Sequence, residues 1–159
     1  MDIDSILKKI ASLASHEDSG GALQRICDHL REAVAHYDWV GYYLALPRER
    51  VLLLGPFSGE PTEHTRIPYG KGICGQAAER DDVFVVPDVS SQSNYLACSV
   101  ATRAEIVLPV RHGGEFVGEL DIDSHTRDPF SPADDRLLSE VVKITAPLVS
   151  SILAHVRRS

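Results

Sequence analysis

The chain has 159 residues, 43% of them hydrophobic and 25% charged, and a formal net charge of −7. A chain of this length can bury roughly 70% of its unfolded surface, so one domain over 1–159 is expected, without disulfide or metal staples. The acidic balance disfavours nucleic acid and anionic membrane as partners and fits a small zwitterion or a protein better.

The opening "MDIDSILKKI" carries two acids and no basic region ahead of an apolar run, so no secretory signal is expected. No stretch reads as the roughly 18 apolar residues of a membrane span. A cytoplasmic location follows, where Cys27, Cys74 and Cys98 are expected to be thiols.

In chain order, residues 3–15 place Ile3, Ile6, Leu7, Ile10, Leu13 and Ala14 on one helical stripe. "SGG" at 19–21 is expected to break it. A second helix follows with Leu23, Ile26, Cys27, Leu30 and Val34 on one face, and Cys27 is read as a small buried hydrophobe. "WVGYYLAL", the turn "PRER" and "VLLLGPF" form an expected hairpin, and "SGEPTEHT" a loop. "YGKGICGQAAER" passes from a glycine-rich loop into a short helix with Cys74 in its first turn, and "VFVV" is a short strand.

Residues 87–104 read as a long polar connection interrupted by "YLAC". "EIVLPVR", "HGGE" and "FVGELDIDS" make a second hairpin. Ser131 as N-cap, Pro132 at the first helical position and acids in the first turn announce a last helix, with a kink expected at Pro147. Too few βαβ crossovers are present for a parallel sheet. The fold class is therefore α+β, an antiparallel sheet with terminal helices on one face and a ligand, loops and the short helix on the other.

Strand alternation puts Phe116, Gly118, Leu120 and Ile122 on one face of the last strand and Val117, Glu119, Asp121 and Asp123 on the other. Carboxylates so arranged form either a solvated outer face or a pocket that neutralises them with an ammonium or a metal, or keeps one protonated. Glu105, opening the preceding strand, adds a fourth. Cys74 lies between glycines at a helix N-terminus that would favour a thiolate, and Cys98 is a loop thiol. Read alone, each is more readily a bystander than a reactive group, and a spacing of 24 residues does not establish that the two meet. With no CxxC or HxxxH pair, no metal and no cofactor are expected. "GKGICG" is not a phosphate loop, and no nucleophile-elbow motif supports a hydrolase.

"WVGYYL" at 39–44, "LLLGPF" at 52–57, "RIPYGKGICG" at 66–75, "DV" at 88–89, "AC" at 97–98, "EIVLPV" at 105–110 and "GELDIDS" at 118–124 occur in one order. Together they resemble the free methionine-(R)-sulfoxide reductases, enzymes of the GAF fold, over roughly residues 5–150. The resemblance implies Cys98 as the thiol that attacks the sulfoxide. It implies Cys74 as a resolving thiol, with thioredoxin or a similar thiol reductant as partner. It further implies Glu105, Asp121 and Asp123 as the groups that hold the substrate ammonium and polarise its oxygen, with Trp39 and Tyr43 around the methyl group on sulfur. Dimers are common in the family.

The chain departs from the family at Tyr95 and Ser99, where "HIACD" is common against "YLACS" here. It also departs at His64, where many members carry the resolving cysteine, so either Cys74 or an outside thiol must resolve. Glu119 stands where an apolar residue is expected and reads as a rim charge. A GAF module that only binds a ligand, and a thiol redox sensor using Cys74 and Cys98, are the alternatives.

Overall fold

Helix α1 (Ile3–Ala14) starts where the Asp2 carboxylate accepts the Ser5 N–H at 3.1 Å, the usual remedy for an N-terminal amide with no helical partner. This is a computed structural model, and it describes residues 1–15, 18–92 and 101–157. Helix α2 spans Ser19–Ala33 and opens with the Ala22 N–H donating to the Asp18 carbonyl at 2.8 Å. Ser19, Gly20 and Gly21 are thus its first turn and not a breaker. The expectation fails because glycine weakens a helix chiefly in its interior, and Gly20 and Gly21 fall in the first turn.

Six strands form one sheet: β1 (Trp39–Leu46), β2 (Val51–Ser58), β3 (Arg66–Pro68), β4 (Phe84–Val86), β5 (Ala104–His112) and β6 (Glu115–Ser124). Their spatial order is β3-β2-β1-β6-β5-β4, and each pairing is antiparallel. The β5–β6 hairpin turns on Gly113 and Gly114 at φ 59° and 79°, backbone angles that glycine adopts without strain. Strand β3 was not anticipated, since three residues are too short to carry a periodic signal.

Helices α1, α2 and α4 (Pro132–Arg157) cover one face of the sheet, where Ile26, Leu30, Tyr42, Leu120, Ile122 and Leu138 lie in one buried cluster. Cys27 sits inside this core, burial pushes its thiol pKa up, and its S–H points at the Pro56 carbonyl 3.6 Å away, as expected of a filler residue. Helix α4 continues through Pro147 to Arg157. It is long and apolar enough to cross a membrane, against the reading that no such stretch exists, but its apolar residues are used in the core.

The start of α4 is held by reciprocal bonds. The Asp134 carboxylate accepts from the Ser131 N–H at 2.8 Å, the Tyr37 hydroxyl at 2.6 Å and His36 Nε2 at 2.7 Å. Burial alone would raise the Asp134 pKa, but the Tyr37, Ser131 and His36 bonds outweigh it and hold it below the usual range.

The opposite face carries a second buried cluster that includes Trp39, Tyr43, Leu52, Ile73, Cys74 and Val107, under helix α3 (Gly72–Arg80). The sheet is therefore buried on both sides. Helices pack on one side, and loops and a short helix on the other, as expected from the order of elements.

Candidate functional site

On β6, register sets which acids meet. Asp123 lies between Trp39 of β1 and Glu105 of β5, Asp121 between Gly41 and Val107, and Glu119 between Tyr43 and Pro109. All four carboxyl residues are interior: Glu105 is 2% exposed, Glu119 0%, Asp121 0% and Asp123 1%. The solvated outer face offered by alternation alone is thus excluded, and Glu119 is not a rim charge.

One part of the face assignment is corrected. Val110 pairs with Gly118 and Arg111 with Phe116, so Val117 is an extra residue on β6. Beyond this bulge the faces exchange. Phe116 packs on the α3 side and Val117 joins the helical core, the reverse of strict alternation.

Glu105 lies beside Asp121 and Asp123, paired across the strands with Asp123. Burial first, and then the charges of Asp121 and Asp123, hold the Glu105 pKa well above the ordinary 4.5. The Cys74 thiol points at Glu105 Oε2 from 3.7 Å. Cys74 Sγ and one oxygen each of Glu105 and Asp121 all lie within 4.8 Å of one another, which makes them the described group best placed to hold a metal. An ammonium could donate to the same oxygens.

Cys74 reaches this position because α3 comes very close to β3. The Gly70 N–H donates to the Gly75 carbonyl at 2.8 Å, and a Cβ on Gly75 would lie 2.6 Å from the Pro68 carbonyl oxygen. Only glycine fits there. The thiol next to it is consequently fixed over the carboxyl row.

Trp39 and Tyr43 wall the far side on a shared strand face, as their spacing predicts. The Trp39 indole stacks on Phe57 at 5.4 Å between centroids, and it occupies the space where a Cβ on Gly41 would sit 2.3 Å from Cη2. Its Nε1–H donates to the Glu60 carbonyl at 2.9 Å, and the Tyr43 hydroxyl donates to the His64 carbonyl at 3.0 Å. Both aromatics thereby tie the 59–65 loop across this face. His64 contributes its backbone to the site, a role that its residue type could not reveal.

Trp39, Tyr43, Cys74, Glu105, Asp121 and Asp123 are thus brought to one side of the sheet. Cys98, Tyr95 and Ser99 lie outside the described residues. The chain after them is fastened at Arg103, whose N–H donates to the Ser124 carbonyl at 2.7 Å beside Asp123. The cleft of about 250 Å³ on the helical side, lined by Val83, Leu108 and Val142, has Arg111 and Lys143 as its charged groups and no carboxyl among its lining residues.

Residues 18–146 match the family model described as GAF domain. The chain is 35% identical to GAF domain-containing protein A of Dictyostelium discoideum, over 89% of this chain and 88% of that protein. The structure is similar to that of free methionine-R-sulfoxide reductase from Neisseria meningitidis in complex with its substrate. The TM-score is 0.85 at 36% identity, covering 93% of this chain and 88% of that one. It is also similar to type II free methionine-R-sulfoxide reductase from Thermoplasma acidophilum, with TM-score 0.80 and 40% identity over 87% of this chain and 96% of that one. Over nearly its whole length, then, the chain belongs to the GAF-domain family and, within it, groups with the free methionine-R-sulfoxide reductases.

Proposed function

We propose that this protein reduces free L-methionine-(R)-S-oxide to L-methionine with thiols as the electron source. The observation that carries the reading is the buried row Glu105, Asp121 and Asp123 beneath the Cys74 thiol, in a chain similar to a reductase whose structure holds its substrate. Buried carboxylates without a cation are costly, and a substrate ammonium supplies the missing charge.

In this reading Asp121 and Asp123 hold the ammonium, while Trp39 and Tyr43 give the methyl group an apolar wall. The Cys98 thiolate attacks the sulfoxide sulfur while protonated Glu105 gives its proton to the oxygen. Oxygen passes to the cysteine sulfur as a sulfenic acid, and the substrate sulfur takes the electron pair and leaves as the thioether. The Cys74 thiol, or an outside thiol, then displaces the hydroxyl as water and forms a disulfide. A thioredoxin-type dithiol reduces that bond, in the reducing cytoplasm that suits such chemistry.

Two assays test the proposal. Purified protein with the free R epimer and dithiothreitol should form methionine, and Cys98→Ser should abolish it. Absence of product from the wild-type chain, or full activity in Cys98→Ser, overturns the reading; tight binding of the sulfoxide without oxidation of Cys98 would favour a GAF module that only binds. Cys74→Ser should keep a stoichiometric first turnover and lose at least about tenfold in thioredoxin-supported recycling, an order of magnitude chosen from the usual advantage of an intramolecular thiol.

A further inference from the structure

Trp39 is the only tryptophan of the chain and, at 2% exposure, one of its largest buried side chains. Both ends of its indole lie against glycines. At the benzo end, a Cβ on Gly41 would lie 2.3 Å from Cη2 and 2.5 Å from Cζ3. At the pyrrole end, a Cβ on Gly59 would lie 2.6 Å from Cδ1. Phe57 stacks on the ring with 16° between the planes, and the Nε1–H is held by the Glu60 carbonyl. A ring so bounded in a close-packed interior cannot tilt unless backbone moves with it. Sheet register says where it lies: Gly41 pairs with Phe57 on β2 and with Asp121 on β6. Residues 39, 41 and 43 share one strand face, so the side-chain place that Gly41 leaves empty is taken by the Trp39 benzo ring, in the rung of Asp121. The aromatic wall thus stands next to the acid row, and a glycine lets it stand there.

We propose that Gly41 is a positioning and specificity-determining residue: its missing side chain lets the Trp39 ring lie along β1 in the rung of Asp121, and the depth this leaves admits a methyl but no larger group on the substrate sulfur. This rests on the reductase reading, in which Trp39 and Tyr43 face that methyl group. Packed interiors yield little to an added methylene, so a wall that cannot tilt rejects the S-ethyl homologue of the sulfoxide. An alanine at position 41 must push the ring away until an ordinary carbon–carbon separation of about 3.5–4.0 Å is restored. The ring then moves outward from the sheet, into the space that the substrate takes, and it strains the bond that Nε1 makes to the 59–65 loop.

Three readouts test this, two of them independent of activity. Because Trp39 is the sole tryptophan, its fluorescence reports on this ring alone. In Gly41→Ala the emission should shift to the red and quenching by acrylamide should rise; emission and quenching equal to wild type overturn the positioning role. Thermal melts of wild type, Gly41→Ala, Trp39→Phe and the double variant form a cycle that isolates the pair. The clash is with outer ring atoms that phenylalanine lacks, so Gly41→Ala should lower Tm less in the Trp39→Phe background than in wild type. The Phe57 Cβ, 2.9 Å from the same point, is common to both backgrounds and cancels. Equal losses, or failure of both alanine variants to fold, overturn the positioning role. In the reductase assay, wild-type kcat/KM for the S-ethyl homologue should lie about 10–200-fold below that for the methyl sulfoxide, the range that one methylene gives. Trp39→Phe should narrow this ratio, and adding Gly41→Ala, whose methyl refills the vacated space, should widen it again. Gly41→Ala alone should lose kcat/KM on the methyl sulfoxide chiefly through KM. A ratio that is the same in all four proteins overturns the specificity role. Should the wild-type chain show no turnover, the reductase reading fails and the methyl selectivity with it, while emission and melts still decide whether Gly41 seats Trp39.

Discussion

Glu105 sits in the interior beside Asp121 and Asp123, and burial and those two acids hold its pKa well above the ordinary 4.5. Only the protonated acid can donate to the sulfoxide oxygen, so the proposed reaction should fade as pH rises through the folded pKa of Glu105. Glu105→Gln keeps the shape and removes the transferable proton; kcat should fall by about 10²–10⁴, the usual worth of general acid catalysis. An unaltered kcat would remove Glu105 from the chemistry. These acids were legible in the sequence as far as alternation reached: Asp121 and Asp123 share a face, and Glu105 sits opposite Asp123. The burial of Glu119 was not legible, because what covers it comes from Tyr43, Tyr69 and α3, all distant in the chain. Cys74 was placed correctly in the first turn of its helix, but the glutamate that it touches is set by tertiary packing.

At the level of elements, α3 is the part that brings a thiol to the carboxyl row, and its seat is Gly75. Gly75→Ala places a methyl group against the Pro68 carbonyl, and overpacking of this kind costs about 1–3 kcal/mol. Tm should drop by several degrees, and the rate at which iodoacetamide labels Cys74 should rise as α3 is displaced; a melt and labelling rate equal to wild type would show that the seat is not tight. At the start of α4, Tyr37→Phe removes one of the bonds that hold Asp134. Losing a bond to a charged group costs about 1.5–3 kcal/mol, measurable by urea unfolding. Helices and hairpins were readable from periodicity and turn residues, whereas the bulge at Val117 was not. It arises from how β5 pairs with β6, and a strand carries no local mark of its partner's register. Ser19-Gly20-Gly21 misled because composition suggests a break, whereas the Ala22 N–H to Asp18 carbonyl bond makes these residues the first turn of α2.

Across the whole molecule, opposing titrations set a pH window for stability. Glu105 and Glu119 have folded pKa values above 4.5, so the folded chain holds protons that the unfolded chain has released, and stability falls as pH rises from that value toward the folded pKa values. Asp134 acts in the other direction: its folded pKa lies below 3.8, so its contribution is present above 3.8 and is lost as pH drops through the folded value. The Tm should therefore be highest in mildly acidic solution and decline as pH rises from 4.5 toward the folded pKa values, and Glu119→Gln should flatten that decline. Equal slopes in the two proteins would mean that Glu119 does not titrate in the fold.

The sheet is buried on both faces, but the two coverings differ in how they are secured. Three helices and a continuous apolar cluster hold one side, whereas the other relies on α3 seated at Gly75 and on the 59–65 loop tied by Trp39 and Tyr43. Amide hydrogen exchange should accordingly be faster in the 59–65 loop and α3 than in α2 and α4, because a loop and a short helix outside the main helical core can open without global unfolding. The interior carboxyl row can then meet solvent, admit a ligand and release it through a local opening whose cost is only a fraction of the stability of the fold.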